Sequence, residues 1–157
     1  MSKYIVLTII ILGILIYSFL QSGDDPSEIE AVFNEVIDSG KKKDLGGVME
    51  HFSINYRDDY GITYPVVKNI VKNFFKRFDG FEADYSNLVV SINENEEGEK
   101  QAVANLDVQV SGIRNGIPVP ILGDEDTQQN ITVTLIKSKL LGWKIVKVEG
   151  IEAEEGF

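Results

Sequence analysis

The chain has 157 residues, with 15 basic and 25 acidic side chains, a formal net charge of −10 and 43% hydrophobic content. A balance this acidic excludes the basic surface that tracks nucleic-acid phosphates, and it disfavours close docking onto anionic lipid. The absence of cysteine removes disulfides, thiol nucleophiles and thiolate metal sites together.

The first feature in chain order is an uncharged apolar run, Tyr4 to Leu20 (YIVLTIIILGILIYSFL). As a helix its residues span roughly 26 Å, close to the ~30 Å hydrocarbon thickness of a bilayer. Tyr4, Tyr17 and Phe19 lie near its ends, where aromatic rings favour the membrane interface. A cleaved signal peptide would have a shorter apolar core, a more basic start and small residues at its exit, whereas this run leaves through Ser18-Phe19-Leu20-Gln21-Ser22-Gly23. The expectation is therefore an uncleaved transmembrane anchor over residues 1–22 and a short linker over 23–26. A globular domain over 27–152 and an acidic tail over 153–157 follow. Lys3 precedes the run and Asp24, Asp25 and Glu28 follow it. The charge rule places the N-terminus inside the cytoplasmic membrane and the domain outside, periplasmic or extracellular.

Asp25-Pro26-Ser27-Glu28-Ile29-Glu30 has the marks of a helix start: Asp25 or Ser27 can cap it, Pro26 suits the first turn, and Ser27 and Glu30 are spaced as a capping box. Ile29, Val32, Phe33, Val36 and Ile37 then form one apolar stripe, and Gly40 is expected to end the helix. Asp44 caps a shorter helix with Leu45, Val48, Met49 and Phe52 inward. A third helix, near 64–79, carries Val67, Ile70, Val71, Phe74, Phe75 and Phe78 on one side and Lys68, Lys72, Lys76 and Arg77 on the other.

Past Gly80 the period changes to two. Phe81, Ala83 and Tyr85 alternate, and Leu88, Val90 and Ile92 follow in the opposite phase, which predicts a β-bulge near Ser86-Asn87. Ala102 to Val110, Ile131 to Leu135, and Trp143 to Val148 read as three more strands. Between them, Gly112 to Thr127 holds the turn signal Asn115-Gly116 together with Pro118 and Pro120, and reads as strand ends plus a hairpin loop. The expected class is α+β: three helices gathered on one side of a curved, four-stranded antiparallel sheet.

The order of elements, the segment Phe52-Ser53-Ile54-Asn55-Tyr56-Arg57-Asp58-Asp59-Tyr60-Gly61 and the closing Gly142-Trp143-Lys144-Ile145-Val146-Lys147-Val148 resemble the nuclear transport factor 2-like superfamily. Among its members, the similarity is to bacterial extracytoplasmic, membrane-anchored proteins. The resemblance implies a cone-shaped fold that hosts enzymes, carriers and assembly subunits alike. It also implies that an enzyme of this kind would move protons with tyrosine and aspartate in the cone, as ketosteroid isomerases do.

The candidate catalytic residues are Tyr56, Asp58 and Asp59, with His51, the single histidine, beside them. Isomerase or hydrolase chemistry needs a carboxylate base and a hydrogen-bonding acid facing one apolar pocket. The loop also has a structural reading: Ser53 and Asp58 can satisfy backbone donors, Tyr56 can pack over the cone, and Gly61 can supply a positive φ. Ile117, Val119, Ile121 and Leu122 are candidates for ligand or partner contact. No cofactor and no metal is expected. The leading expectation is a non-catalytic accessory subunit in contact with the membrane through residues 4–20 and with a protein partner or second copy through its sheet. Binding of a small apolar ligand or lipid in the cone is the alternative, and catalysis the next.

Overall fold

The structure is a computed structural model that describes residues 25–151. The anchor expected at residues 1–22 and the acidic tail lie outside them. Among the described residues no helix is long and apolar enough to cross a membrane.

Among the described residues, three helices precede five strands. Helix α1 spans Asp25–Lys41, so it takes in two residues of the expected linker and has Ser27 inside its first turn rather than at its cap. Ile29, Val32 and Phe33 are the buried part of its stripe. Gly40 does not end it. The left-handed position is taken by Lys43, at φ 56°. There the Lys43 and Asp44 amides donate back to the Gly40 and Ser39 carbonyls at 3.0 and 2.9 Å. A non-glycine residue is strained at that φ. Here it points the Lys43 ammonium at the Phe78 carbonyl, 2.9 Å away at the end of α3. Helix α2, Leu45–Met49, is capped as expected by Asp44, whose carboxylate accepts from the Gly47 amide at 3.0 Å. Helix α3, Tyr64–Arg77, begins with Pro65 in its first turn and buries none of its residues.

The strands are β1 (Gly80–Glu94), β2 (Lys100–Arg114), β3 (Ile117–Leu122), β4 (Gln129–Ser138) and β5 (Gly142–Glu149). They form one antiparallel sheet in the order β1-β2-β4-β5, with β3 beside the far end of β2. The register of β1 on β2 shifts between Ser86 and Val89, with Asn87 at φ 53°, so the bulge falls where the phase switch predicts it.

The four-strand expectation is corrected to five. Arg114 pairs with Ile117 across Asn115-Gly116, both at positive φ, the geometry of a two-residue hairpin. Hydrogen-bonded and non-bonded pairs alternate from there, which puts Pro118 and Pro120, opposite Ile113 and Ser111, at positions that need no N–H toward β2. Prolines thus fit an edge strand without cost to the ladder.

The inner face of the sheet supplies Ala102, Ala104, Leu106, Ile131, Val133, Leu135, Trp143 and Ile145 to the core, against Ile29, Val32 and Phe33 of α1. The outer face is polar: the Asn130 amide donates to Asn105 and Asp107, and the Asn87 amide donates to Asp107 at 2.8 Å.

Candidate functional site

The interior of the cone is partly empty. An apolar cavity of about 300 Å³ lies between α1, α3 and the inner face of β1 and β2. Its walls include Phe33, Val71, Phe74, Phe75, Ala83 and Tyr85. The cause is a mismatch of size and distance. Helix α3 stands away from the sheet, propped at its C-terminal end by an aromatic stack in which Phe78 and Phe75 meet Phe81 at 5.7 and 5.4 Å. The strand residues across the gap, Ala83, Val108 and Val110, are too small to reach it. Phe78 itself is buried against Gly112, where any Cβ would fall on its ring.

Two polar side chains border the cavity. The Tyr85 hydroxyl donates to Asn34 Oδ1 at 3.0 Å, and burial, ahead of the nearby Glu30 charge, pushes its pKa up. Lys41, exposed at the last turn of α1, stands on the rim with no ion-pair partner among the described residues.

The catalytic candidates point elsewhere, and none of them lines the cavity. His51 is buried at the end of α2, with Nε2 3.3 Å from Glu35 of α1. Tyr56 is buried edge-on to Phe52, and burial first, then the Asp58 charge, pushes its phenol up to about 12. Asp58 accepts from the Tyr60 and Ile62 amides at 3.0 and 2.9 Å, and Gly61 takes φ 77°, so its carboxylate holds the loop. Asp59 faces solvent and pairs with Lys147 at 2.9 Å, which holds its carboxyl below the usual range. The loop is laid along β5 by backbone bonds from Ser53 and Arg57 to the Ile145 and Val146 carbonyls. Its ten residues are close in sequence, but their side chains turn to separate partners.

The contact candidates also divide. Leu122 lines the cavity, Val119 and Ile121 are half-buried beside Phe78, and Ile117 is exposed. Among the described residues no group of three or more His, Asp or Glu side chains is placed to hold a metal. The walls of the cavity escape a reading by periodicity, because the α3 stripe has the same spacing whether or not anything meets it. The usable signal is bulk: two phenylalanines on α3, Phe74 and Phe75, face a strand residue as small as Ala83.

No family model matches the chain, and no curated protein matches it in sequence. Solved structures do resemble it in fold. The helical cell shape determining protein Pgp2 from Campylobacter jejuni (K307A mutant) aligns with a TM-score of 0.65 at 10% identity, over 80% of this chain and 40% of that one. Bd1075 of Bdellovibrio bacteriovorus aligns with a TM-score of 0.62 at 9% identity, over 81% and 41%. A nuclear transport factor 2-like protein with a cystatin-like fold from Novosphingobium aromaticivorans aligns with 0.60 at 14% identity, over 85% of each chain. The chain spans about two fifths of the first two proteins. Its fold is the cystatin-like, nuclear transport factor 2-like cone.

Proposed function

We propose that this chain is a membrane-tethered binding module that takes the tail of a small amphiphile with an acidic end into its cone. One observation carries the reading: an apolar cavity of about 300 Å³ at the heart of the fold, at the small end of the range for ligand sites. Lys41 supports the acidic end, since it stands on the rim with its charge unmatched. The run from Tyr4 to Leu20 supports the tether. Catalysis is disfavoured because no carboxylate or imidazole among the described residues borders the cavity, and proton transfer needs a base within hydrogen-bond reach of the substrate. An accessory subunit working through the sheet is disfavoured because the outer face offers hydrogen-bonded amides where a docking core would be apolar.

The test uses the full chain in lipid nanodiscs with labelled methyl groups. Titration with decanoate is expected to move the resonances of Val108, Val110 and Leu122 and to leave Leu135 in place. Ala83→Leu, which fills the gap, is expected to weaken decanoate at least tenfold. Absence of any shift with decanoate or decanol at millimolar concentration would overturn the binding reading. Equal affinity for decanol would remove the acidic end alone.

A further inference from the structure

Three large apolar side chains with most of their surface exposed are gathered at one end of the cone. Leu140 is 93% exposed, Leu141 70% and Ile54 80%. The two leucines occupy the turn from Ser138 to Gly142 that joins β4 to β5, where polar residues are the rule. Ile54 and Leu141 line one depression together with Lys139, Lys144, Glu50 and Glu99.

This is also the end where the chain arrives from its apolar run. Lys100 and Lys137, on neighbouring strands, both donate to the Asp25 carboxylate at 2.6 Å. Glu28 joins them, 2.8 Å from Lys137 and accepting from the Trp143 indole at 3.1 Å. The first turn of α1 is thereby fastened over the base of the hairpin whose tip is Leu140-Leu141. Leu20, the last residue of the run, is five residues before Asp25. Even fully extended, that connection reaches at most ~18 Å, and the step from Lys137 to Leu140 at most ~11 Å. A bilayer that holds residues 4–20 therefore lies within reach of the tip.

We propose that the Leu140-Leu141 turn, with Ile54 beside it, enters the lipid–water interface and forms a second contact that lays this end of the cone on the membrane. The proposal rests on the tether reading. Its chemistry is that of interfacial anchoring: apolar side chains go into the acyl boundary while neighbouring lysines extend to the headgroups. The local charge is compatible with a zwitterionic surface, because Lys139 and Lys144 are balanced by Glu50 and Glu99 around the same depression in a chain whose net charge is −10. The opposite end is the natural control. Strand β2 runs from Lys100, on Asp25, to Arg114, whose hairpin partner Ile117 is 66% exposed.

The chain has no cysteine, so a single introduced one gives a unique nitroxide site. The full chain is reconstituted in phosphatidylcholine vesicles as Leu141→Cys and as Ile117→Cys. Power saturation then compares collision with oxygen, which concentrates in lipid, and with a water-soluble nickel chelate. The expected result is an oxygen-to-nickel ratio at least fivefold higher at 141 than at 117. A double change, Leu140→Glu with Ile54→Glu, leaves the core untouched and is expected to bring the ratio at 141 down to that at 117. Equal ratios in a chain that still floats with the vesicles would overturn the second contact and leave the tether standing. Shielding of the 141 label from both reagents would overturn it in favour of a protein neighbour. A chain that does not float at all would end both readings.

Discussion

Where α1 lies across the inner face of the sheet, Ile29, Ala102 and Leu135 have no accessible surface. Where α3 faces β1, the helix buries no residue at all, although its apolar stripe is as regular and its phenylalanines are larger. The two sides of one cone thus use the same residue types and reach different ends. Periodicity decides which side chains turn inward, while the volume available across the gap decides whether they meet anything. The packed side supplies the stability of the fold, and the hollow side supplies space that a ligand can occupy.

Equal truncations on the two sides test this division most sharply. Leu135→Ala removes a fully enclosed side chain and is expected to cost about 2–5 kcal/mol in urea unfolding. Leu122→Ala removes a half-exposed one from the cavity wall and is expected to cost about 1 kcal/mol, since little new void is made. Equal costs would mean that the cavity wall is packed in solution. The converse pair enlarges alanines. Ala104→Leu has no room at a residue with 0% exposure, and overpacking there is expected to cost about 1–3 kcal/mol. Ala83→Leu projects into the open cavity and is expected to change stability by less than about 1 kcal/mol while displacing decanoate.

The two tyrosines sharpen the comparison under alkali. Tyr56 belongs to the packed side and Tyr85 to the cavity wall. Burial leads the upward shift of both phenols, and Tyr56 reaches about 12. A raised value means that the fold keeps its proton after the unfolded chain, near 10, has released it. The stability linked to Tyr56 is complete below pH ~10 and is lost as pH rises toward ~12. Ultraviolet titration is expected to show Tyr85 ionising before Tyr56. Tyr56→Phe is expected to flatten the alkaline fall in melting temperature, and an unchanged fall would show that Tyr56 is not held as the packed side requires.

Much of the packed side is legible in the sequence because it follows from local rules. The stripe of α1, the Asp44 cap, the reversal of phase at Ser86-Asn87 and the Asn115-Gly116 turn are each set by neighbours within a few residues. The parts that are not legible depend on distance. Pro118 and Pro120 argue against a strand until β3 is known to have a free edge. Gly40 looks like a helix stop until Lys43 is seen reaching Phe78, 35 residues away. The cavity is hidden for the same reason, as the stand-off of α3 is fixed by Phe81 and Gly112 in other strands. The Tyr56 to Asp59 cluster misleads in the other direction, because adjacency along the chain places Tyr56 in the core and Asp59 in solvent.

Gly40 gives the smallest and cleanest discrimination between the two sides. It lies within α1 on the cavity lining, it is not among the glycines at positive φ, and a Cβ added there would meet nothing within 4 Å. Alanine at such a position loses less backbone entropy on folding, so Gly40→Ala is expected to stabilise the chain by about 0.5–1 kcal/mol. One methyl at the rim neither fills the cavity nor moves Lys41, so the affinity for decanoate is expected to stay within twofold. A gain in stability without loss of binding separates the helix from the hollow beside it. A loss of stability would instead mean that the open space around Gly40 closes in solution, and the difference between the two sides of the cone would shrink with it.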